Sequence, residues 1–146
     1  MAYIAVDFDG TCVTHDFPRV GKDIGAVPVL KELVKNGHRL ILYTMRSHGD
    51  PRIQKNLPPT YVGKLLETDV LDDAIQWFKD NDIPLFAVND NPTQHSWTNS
   101  KKVYFHVLID DAALGVPLKK DIFLSKNPYV DWKEVRKELV RMGYIE

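Results

Sequence analysis

The chain has 146 residues, of which 44% are hydrophobic and 27% are charged, and its formal net charge at pH 7 is -1. This length and composition predict one ordinary globular domain over residues 1–146, large enough to fold without a disulfide. A net charge so close to zero excludes a general electrostatic attraction to nucleic acid.

Cellular location is predicted from what the sequence contains and lacks. A single cysteine, Cys12, favours a reducing compartment over an oxidised scaffold. No apolar run approaches the roughly 20 residues that a membrane-spanning helix needs, and the start of the chain lacks the pattern of a secretory leader. We therefore expect a cytoplasmic protein with no membrane partner.

The first predicted strand covers residues 2–6, which are almost all apolar without a period of two. Such a run is typical of a strand buried on both faces of a parallel sheet. It ends at Asp7 and Asp9, and Gly10 allows the chain to turn at once, so both carboxylates are expected in one crevice. Two close carboxylates repel each other, which predicts either a bound cation or a shared proton.

Strands and helices alternate through the rest of the chain. After a small polar flap at about 12–25, the pattern predicts a helix from Pro28 to Gly37 and a strand over 39–44. An irregular loop is predicted at about 47–66. The remaining predicted elements are a helix over 71–79 with Thr68 as its N-cap, strands over 84–89 and 103–109, a short strand over 122–124, and a helix from Asp131 to Gly143.

This order of elements predicts an α/β fold. Strands that alternate with helices through short connections favour a three-layer, Rossmann-like parallel sheet. In such a sheet the carboxyl ends of the strands meet along one edge, where open α/β folds bind their ligands.

Polar residues follow four of the predicted strands in a fixed order. Asp7 and Asp9 come first, Thr44 second, the adjacent Lys101 and Lys102 third, and Asp110 and Asp111 last. The motifs read DFDGT, LYTMR, SKKVYF and LIDDAALG. In this order they resemble the motifs of the haloacid dehalogenase superfamily of phosphatases, and they span residues 2 to about 117.

The resemblance implies a Mg²⁺-dependent phosphomonoester hydrolase. Asp7 would be the nucleophile that forms an aspartyl phosphate, and Asp9 the general acid and base. Mg²⁺ would be bound by Asp7, the backbone carbonyl of Asp9, and Asp110.

The remaining site residues would bind the phosphoryl group or support its ligands. Thr44, Gly10 and one lysine would hold the phosphoryl oxygens. Lys102 is favoured over Lys101 because it is closer to the fourth strand. Asp111 would position the lysine or a metal-bound water.

Two features leave alternatives open. Arg46 either grips a second anionic group of the substrate or is simply exposed. Neither gap between the motifs has room for a large cap domain, so the site is expected to be open. An open site suits a macromolecular phosphorylated substrate, or one closed by a second copy in a homo-oligomer.

Other classes of protein fit the sequence less well. A signalling receiver domain also phosphorylates an aspartate, but its acidic pair comes first and its lysine last. A dehalogenase does not need an acid at the position of Asp9. A non-catalytic phosphate-binding or interaction module on the same fold is the alternative that the sequence leaves standing.

Overall fold

The computed structural model describes residues 1–49 and 69–146, and its central feature is a four-stranded parallel sheet. Within these ranges the strand order is β3-β2-β1-β4. The strands are β1 (Tyr3–Val6), β2 (Arg39–Leu42), β3 (Ala87–Val88) and β4 (Val107–Ile109). All three pairings are parallel, so the predicted parallel α/β sheet is confirmed.

Strand β1 is central and buried, as its apolar sequence predicts. Ile4 pairs with Leu40 on one side and with Val107 on the other. Strands β3 and β4 are shorter than predicted, and His106 shows one reason. Its ring Nδ1 accepts from the backbone N–H of Tyr3, where a longer β4 would offer a backbone carbonyl.

One face of the sheet is covered by three helices. They are α1 (Ala26–Lys35), α2 (Val70–Asp80) and α3 (Trp132–Arg141). Their apolar sides share one core with the alternate sheet residues Ile4, Val6, Leu40 and Leu42. This burial of apolar surface is the main force that holds the helices against the strands.

Aspartate caps set the starts of α2 and α3, whereas Gly25 precedes α1 without a side-chain cap. The side chain of Asp131 accepts from the backbone N–H groups of Lys133 and Glu134, which confirms the predicted start of the last helix. Thr68, the predicted cap of the second helix, lies outside the described residues. The N-cap of α2 is Asp69, whose side chain accepts from the N–H groups of Leu71 and Asp72.

The other face of the sheet has a different cover. Tyr3 and Ile41 pack there with Val103, and the partly buried Tyr43, Phe86 and Phe105 join them. Residues 89–106 form this layer, and the helical element within them is the short 3-10 turn Pro92–Gln94. In the described part of the chain, helices therefore cover one face of the sheet, and the predicted second helical layer is not confirmed.

Two buried amides hold this irregular layer together. Asn91 donates to the carbonyl of Tyr104, and Gln94 donates to the carbonyls of Ser100 and Lys102. Gln94 also accepts from the N–H of Tyr104. Side-chain hydrogen bonds here replace those of a helix, since buried backbone groups need partners.

The C-terminal part contains one wrong prediction. Residues 122–124 form a turn at Asp121, whose carbonyl accepts from Leu124 and Ser125. The strands lie on either side, as the antiparallel pair β5 (Leu118–Lys119) and β6 (Tyr129–Val130).

Residues 12–25, the predicted flap, lie between β1 and α1. Its ends are joined where the N–H of Thr14 donates to the carbonyl of Lys22, and the N–H of Lys22 donates to the Thr14 hydroxyl. Most of the predicted irregular loop at 47–66 lies outside the described residues. Among those that are described, no helix is long and apolar enough to cross a membrane.

Candidate active site

Two carboxylates meet where the central strands end. Val6 and Ile109 are paired in register, and the N–H of Asp7 donates to the carbonyl of Ile109 over 3.0 Å. Asp7 and Asp110 are the next residues of their strands. Asp7, Asp110 and Asp111 each bring one carboxylate oxygen within 4.8 Å of the others. The predicted convergence of the first and last motifs at one sheet edge is therefore present.

Thr11 makes hydrogen bonds with two of these three residues. Its hydroxyl donates to Asp7 Oδ2 over 2.9 Å and accepts from the N–H of Asp111 over 3.1 Å. Thr11 is fully buried, and its carbonyl accepts from the indole Nε1 of Trp132 over 2.6 Å. Helix α3 thus fixes the turn that holds two of the three carboxylates.

The electrostatics of the group favour a cation. Burial, followed by the negative charge of Asp110, raises the pKa of Asp7 from 3.8 to about 7. Burial also raises the pKa of Asp110. Ionising all three carboxylates is costly without a neutralising charge. A hard divalent cation supplies that charge, and three carboxylates are the oxygen ligands that Mg²⁺ and Ca²⁺ prefer.

Cys12 contacts the backbone of Asp7. Its Sγ donates to the carbonyl of Asp7 over 3.3 Å, and the residue is fully buried. Burial and the neighbouring Asp7 raise the pKa of its thiol well above the ordinary value. A protonated buried thiol is a poor nucleophile, so the environment of Cys12 is that of a packing residue.

Gly10 has a spatial role that the sequence does not reveal. Its φ is +77°, and a Cβ there would lie 2.6 Å from Asp111 Oδ2 and would also meet the ring of His15. Its N–H donates to the carbonyl of Val13. The prediction of Gly10 as a phosphate ligand is therefore not supported, because that N–H is already used within the turn.

His15 belongs to the site, although no pattern in the sequence places it there. Its Nε2 lies 2.8 Å from Asp111 Oδ2, and about a third of its side chain is exposed. Asp111 therefore contacts an imidazole, whereas the resemblance implies that it positions a lysine or a metal-bound water. The available signal was the position of His15 in the flap directly after the first motif.

The carboxylate of Asp9 is paired with Arg46 and is not part of the group formed by the other three carboxylates. The Nε of Arg46 donates to Asp9 Oδ2 and its Nη2 donates to Asp9 Oδ1, each over 2.8 Å. The pair has the two-point geometry that makes Arg–carboxylate contacts strong. Metal ligation by the backbone carbonyl of Asp9 stays a prediction.

Both predicted alternatives for Arg46 are wrong. The residue is 3% exposed, so it neither projects into solvent nor offers a free guanidinium to a second anionic group. Beyond Asp9 it donates to the carbonyls of Pro18, Arg19 and Val70. The rings of Phe8 and Phe17 lie 5.0 and 5.2 Å from its guanidinium carbon. Arg46 therefore ties the flap and the start of α2 to Asp9.

Thr44 follows β2 on the same side of the sheet. Its N–H donates to Asn89 Oδ1 over 2.8 Å, and its hydroxyl oxygen accepts from the N–H of Arg46 over 3.0 Å. The hydroxyl proton is left to donate to another group. This local bond is the backbone contact expected of a threonine at a turn.

Neither predicted lysine is brought to the carboxylates. Lys101 and Lys102 are exposed, and their side chains make no hydrogen bond or ion pair within residues 1–49 and 69–146. The backbone carbonyl of Lys102 is held by Gln94 in the irregular layer. The choice between the two lysines stays open.

A second group of potential metal ligands lies at the start of α2. His48 Nδ1 is 2.9 Å from Asp69 Oδ2 and 3.7 Å from Asp72 Oδ1. Asp69 is already the N-cap of α2 and also accepts from the N–H of Gly49. These bonds account for the arrangement without a metal.

The site carboxylates do not line the larger cavities of the described residues. Cavities of about 460, 350 and 250 Å³ are found there, and none of the three is lined by Asp7, Asp110 or Asp111.

Comparison with the profiles of known protein families gives no match. A search of curated proteins gives no match either. Among solved structures, the chain is similar to one described as the structure of a conserved protein coded by a locus from Bacteroides thetaiotaomicron. The two chains share 30% sequence identity with a TM-score of 0.66, over 97% of this chain and 90% of the other.

Proposed function

We propose that this chain, which belongs to the same family as the conserved protein from Bacteroides thetaiotaomicron, is a Mg²⁺-dependent phosphomonoester hydrolase. The observation that carries the proposal is the convergence of Asp7, Asp110 and Asp111 at the carboxyl ends of β1 and β4. Three carboxylates so close together need a cation to neutralise their charge. One of the three would then face the group that the cation binds.

Asp7 is the proposed nucleophile. It is the carboxylate that directly follows the central strand, and the Thr11 hydroxyl fixes its Oδ2, which leaves Oδ1 as the attacking atom. The raised pKa of Asp7 reflects burial and the charge of Asp110. Mg²⁺, held by Asp7, Asp110 and Asp111, would keep Asp7 ionised and offset the repulsion between it and the phosphoryl group.

Three residues are proposed to serve the phosphoryl group and the attacking water. The Thr44 hydroxyl proton is free to donate to a phosphoryl oxygen, and Lys101 or Lys102 would have to approach from the exposed layer. Asp9 keeps its proposed acid and base role. Each of its carboxylate oxygens accepts one bond from Arg46 and keeps a second lone pair for a proton.

We also propose the finer fold and the cellular location. The motif order supports a haloacid dehalogenase-like, three-layer fold without a large cap. The single cysteine, Cys12, supports a location in the cytoplasm. The lack of room for a large cap between the motifs supports a phosphorylated substrate that is macromolecular, or a site that a second copy closes.

One observation favours the alternative of a phosphate-binding module without turnover. In the described residues no lysine lies beside the carboxylates, and an enzyme of this kind uses a cation there to offset phosphoryl charge. The two hypotheses differ in a single measurable property, which is hydrolysis.

The test is release of 4-nitrophenol from 4-nitrophenyl phosphate, with Mg²⁺ and with excess EDTA. We expect turnover only with Mg²⁺, and a loss of at least about 10³-fold in Asp7→Asn, because covalent catalysis loses its nucleophile. Asp82→Asn is the matched control, since this exposed aspartate is remote from the site. Equal activity of Asp7→Asn and wild type would remove Asp7 from the mechanism.

A further inference from the structure

A cavity of about 460 Å³ adjoins the candidate active site. It is lined by residues of the β5–β6 pair and of the N-terminal halves of α1 and α3, and by none of the three site carboxylates. Two of its lining residues, Val130 and Trp132, donate to the backbone carbonyls of Gly10 and Thr11. Its volume lies within the roughly 300–1,000 Å³ that is usual for sites of small ligands. We call it the Tyr129 cavity, after the tyrosine that lines it.

Tyr129 brings an unused hydroxyl to this cavity. The residue lines the cavity and is 3% exposed, but its hydroxyl makes no hydrogen bond with residues 1–49 and 69–146. No fully buried side-chain oxygen or nitrogen in those ranges lacks a partner, so the Tyr129 hydroxyl is not sealed within the core. Because buried tyrosine hydroxyls normally have a hydrogen-bond partner, this one is left to bind a ligand that enters the cavity.

Two lysines line the same cavity. Lys119 lies opposite Tyr129 in the antiparallel β5–β6 pair, so their side chains share one face of that pair. Lys133 lies in the first turn of α3. Neither ammonium group makes a hydrogen bond or an ion pair with the part of the chain that the structure describes. One hydroxyl and two ammonium groups can all donate, which is the set that binds the oxygens of an anion.

The other charged residues of the cavity already have partners. Asp131 is the N-cap of α3, and its carboxylate accepts from two backbone N–H groups of the first turn. The carboxylate of Asp121 accepts from the N–H of Phe123. Arg136 makes a two-point contact with Glu32. Among the described lining residues, the charges left without a partner are therefore the two ammonium groups, which favours an anion over a cation.

Much of the remaining lining is apolar. Ile24, Val29 and Leu124 line the cavity together with Trp132. Contact with these side chains removes apolar surface from water, so the lining favours a ligand with an apolar body.

We propose that the Tyr129 cavity binds a small organic anion, in which an aromatic or short aliphatic body carries one carboxylate, sulfonate or phosphate group. Tyr129, Lys119 and Lys133 bind the anionic oxygens, and the apolar lining holds the body. This site is independent of the proposed function, since it uses neither the site carboxylates nor a metal.

The test uses 8-anilinonaphthalene-1-sulfonate, an aromatic sulfonate whose fluorescence rises in an apolar site. Wild-type protein is titrated with this probe in EDTA and without substrate, so that neither a metal nor turnover affects the result. We expect saturable binding of about one probe per chain. No saturable binding would overturn the proposal and would leave the proposed hydrolase unaffected.

Competitors of the probe separate the charge of the ligand from its apolar body. 2-Naphthoate and 2-naphthamide have nearly the same shape, but the first is an anion and the second is neutral. We expect 2-naphthoate to displace the probe at a concentration at least about 10-fold lower, because hydrogen bonds to a charged group are the stronger ones. Equal potency of the two compounds would overturn the assignment of an anion site.

Substitution of the donors locates the anionic group. Tyr129→Phe removes the hydroxyl alone, and we expect it to weaken 2-naphthoate binding at least about 5-fold. The variant should unfold at the same urea concentration as wild type, because the hydroxyl has no partner among the described residues. A lower unfolding midpoint would show that the fold uses this hydroxyl, and unchanged binding would show that the ligand does not; either result would overturn the proposal.

The lysines are tested as a pair. Lys119→Gln combined with Lys133→Gln should weaken 2-naphthoate binding at least about 10-fold. Lys31→Gln combined with Lys79→Gln is the matched control, because these exposed lysines of α1 and α2 do not line the cavity. An equal loss in both double variants would reduce the effect to the overall charge of the chain and would overturn the site.

Two further variants distinguish the cavity from the exposed surface beside it. Leu124→Trp places a larger side chain in the cavity and should abolish probe binding. Phe123→Ala removes a ring that is 93% exposed and does not line the cavity, so probe binding should be unchanged. Loss of binding in Phe123→Ala with full binding in Leu124→Trp would place the probe on the surface and contradict the proposal.

Discussion

Replacing Asp7 by asparagine should stabilise the metal-free protein at neutral and alkaline pH. In the folded state burial, and then the charge of Asp110, raises the pKa of Asp7 to about 7, whereas its ordinary value is 3.8. Between these values the folded chain binds more protons than the unfolded chain. The free energy of unfolding therefore falls as the pH rises through this window.

The size of the effect follows from the same values. The difference between 3.8 and about 7 corresponds to about 4 kcal/mol at about 1.4 kcal/mol per pH unit. Because Asp7 is only partly buried and its neighbours share the charge, we expect about 2–4 kcal/mol in practice. Asparagine keeps the shape and the oxygen that accepts from Thr11 without the charge.

The assay is urea unfolding followed by circular dichroism in EDTA, at about pH 4.5 and about pH 8. We expect Asp7→Asn to be about 2–4 kcal/mol more stable than wild type at the higher pH, and at most about 1 kcal/mol more stable at the lower pH, which is close to the ordinary pKa of 3.8. Asp82→Asn should match wild type at both. Adding Mg²⁺ should stabilise wild type more than Asp7→Asn.

Two outcomes would refute this reasoning. One is an Asp7→Asn variant that is no more stable than wild type at about pH 8. The other is an equal gain at both pH values, because a charge effect must become smaller as the pH falls from about 7 toward 3.8.

Three further substitutions test the parts of the site separately. Asp110→Asn removes one charged ligand, and the Mg²⁺ concentration at half of the thermal shift should rise at least about 10-fold; an unchanged midpoint would exclude Asp110 as a ligand. Gly10→Ala should lower stability by about 1–3 kcal/mol, since φ is +77° and the new Cβ meets His15; urea unfolding measures this, and wild-type stability would contradict it. Trp132→Phe removes the donor to the Thr11 carbonyl and should cost about 1–3 kcal/mol in the same assay, whereas a neutral change would show that this bond does not hold the turn.

The sequence predicts the convergence of Asp7 and Asp110 for a simple physical reason. Each directly follows an apolar run, and buried parallel strands bring their carboxyl ends to one edge. The apolar pattern thus predicts both the parallel sheet and the edge at which its strands end. Because Val6 and Ile109 are paired in register, the residues that follow them, Asp7 and Asp110, lie side by side at that edge.

Contacts between loops carry no such pattern. Arg46 and Asp9 are 37 residues apart, and each follows its strand in an irregular turn, so no periodicity relates them. The same holds for His15 and Asp111, which are 96 residues apart. The irregular layer over the second face depends on the side-chain bonds of Asn91 and Gln94, which propensities for helix and strand do not register.

The most direct test of the central claim is to trap the phosphorylated protein. Wild-type protein with Mg²⁺ is mixed with 4-nitrophenyl phosphate, quenched in acid within the first turnover and digested, and its peptides are mapped by mass spectrometry. We predict one phosphoryl group on the peptide that contains Asp7, which is absent from Asp7→Asn. Turnover with no phosphorylated peptide, or with the phosphoryl group on another residue, would contradict the account.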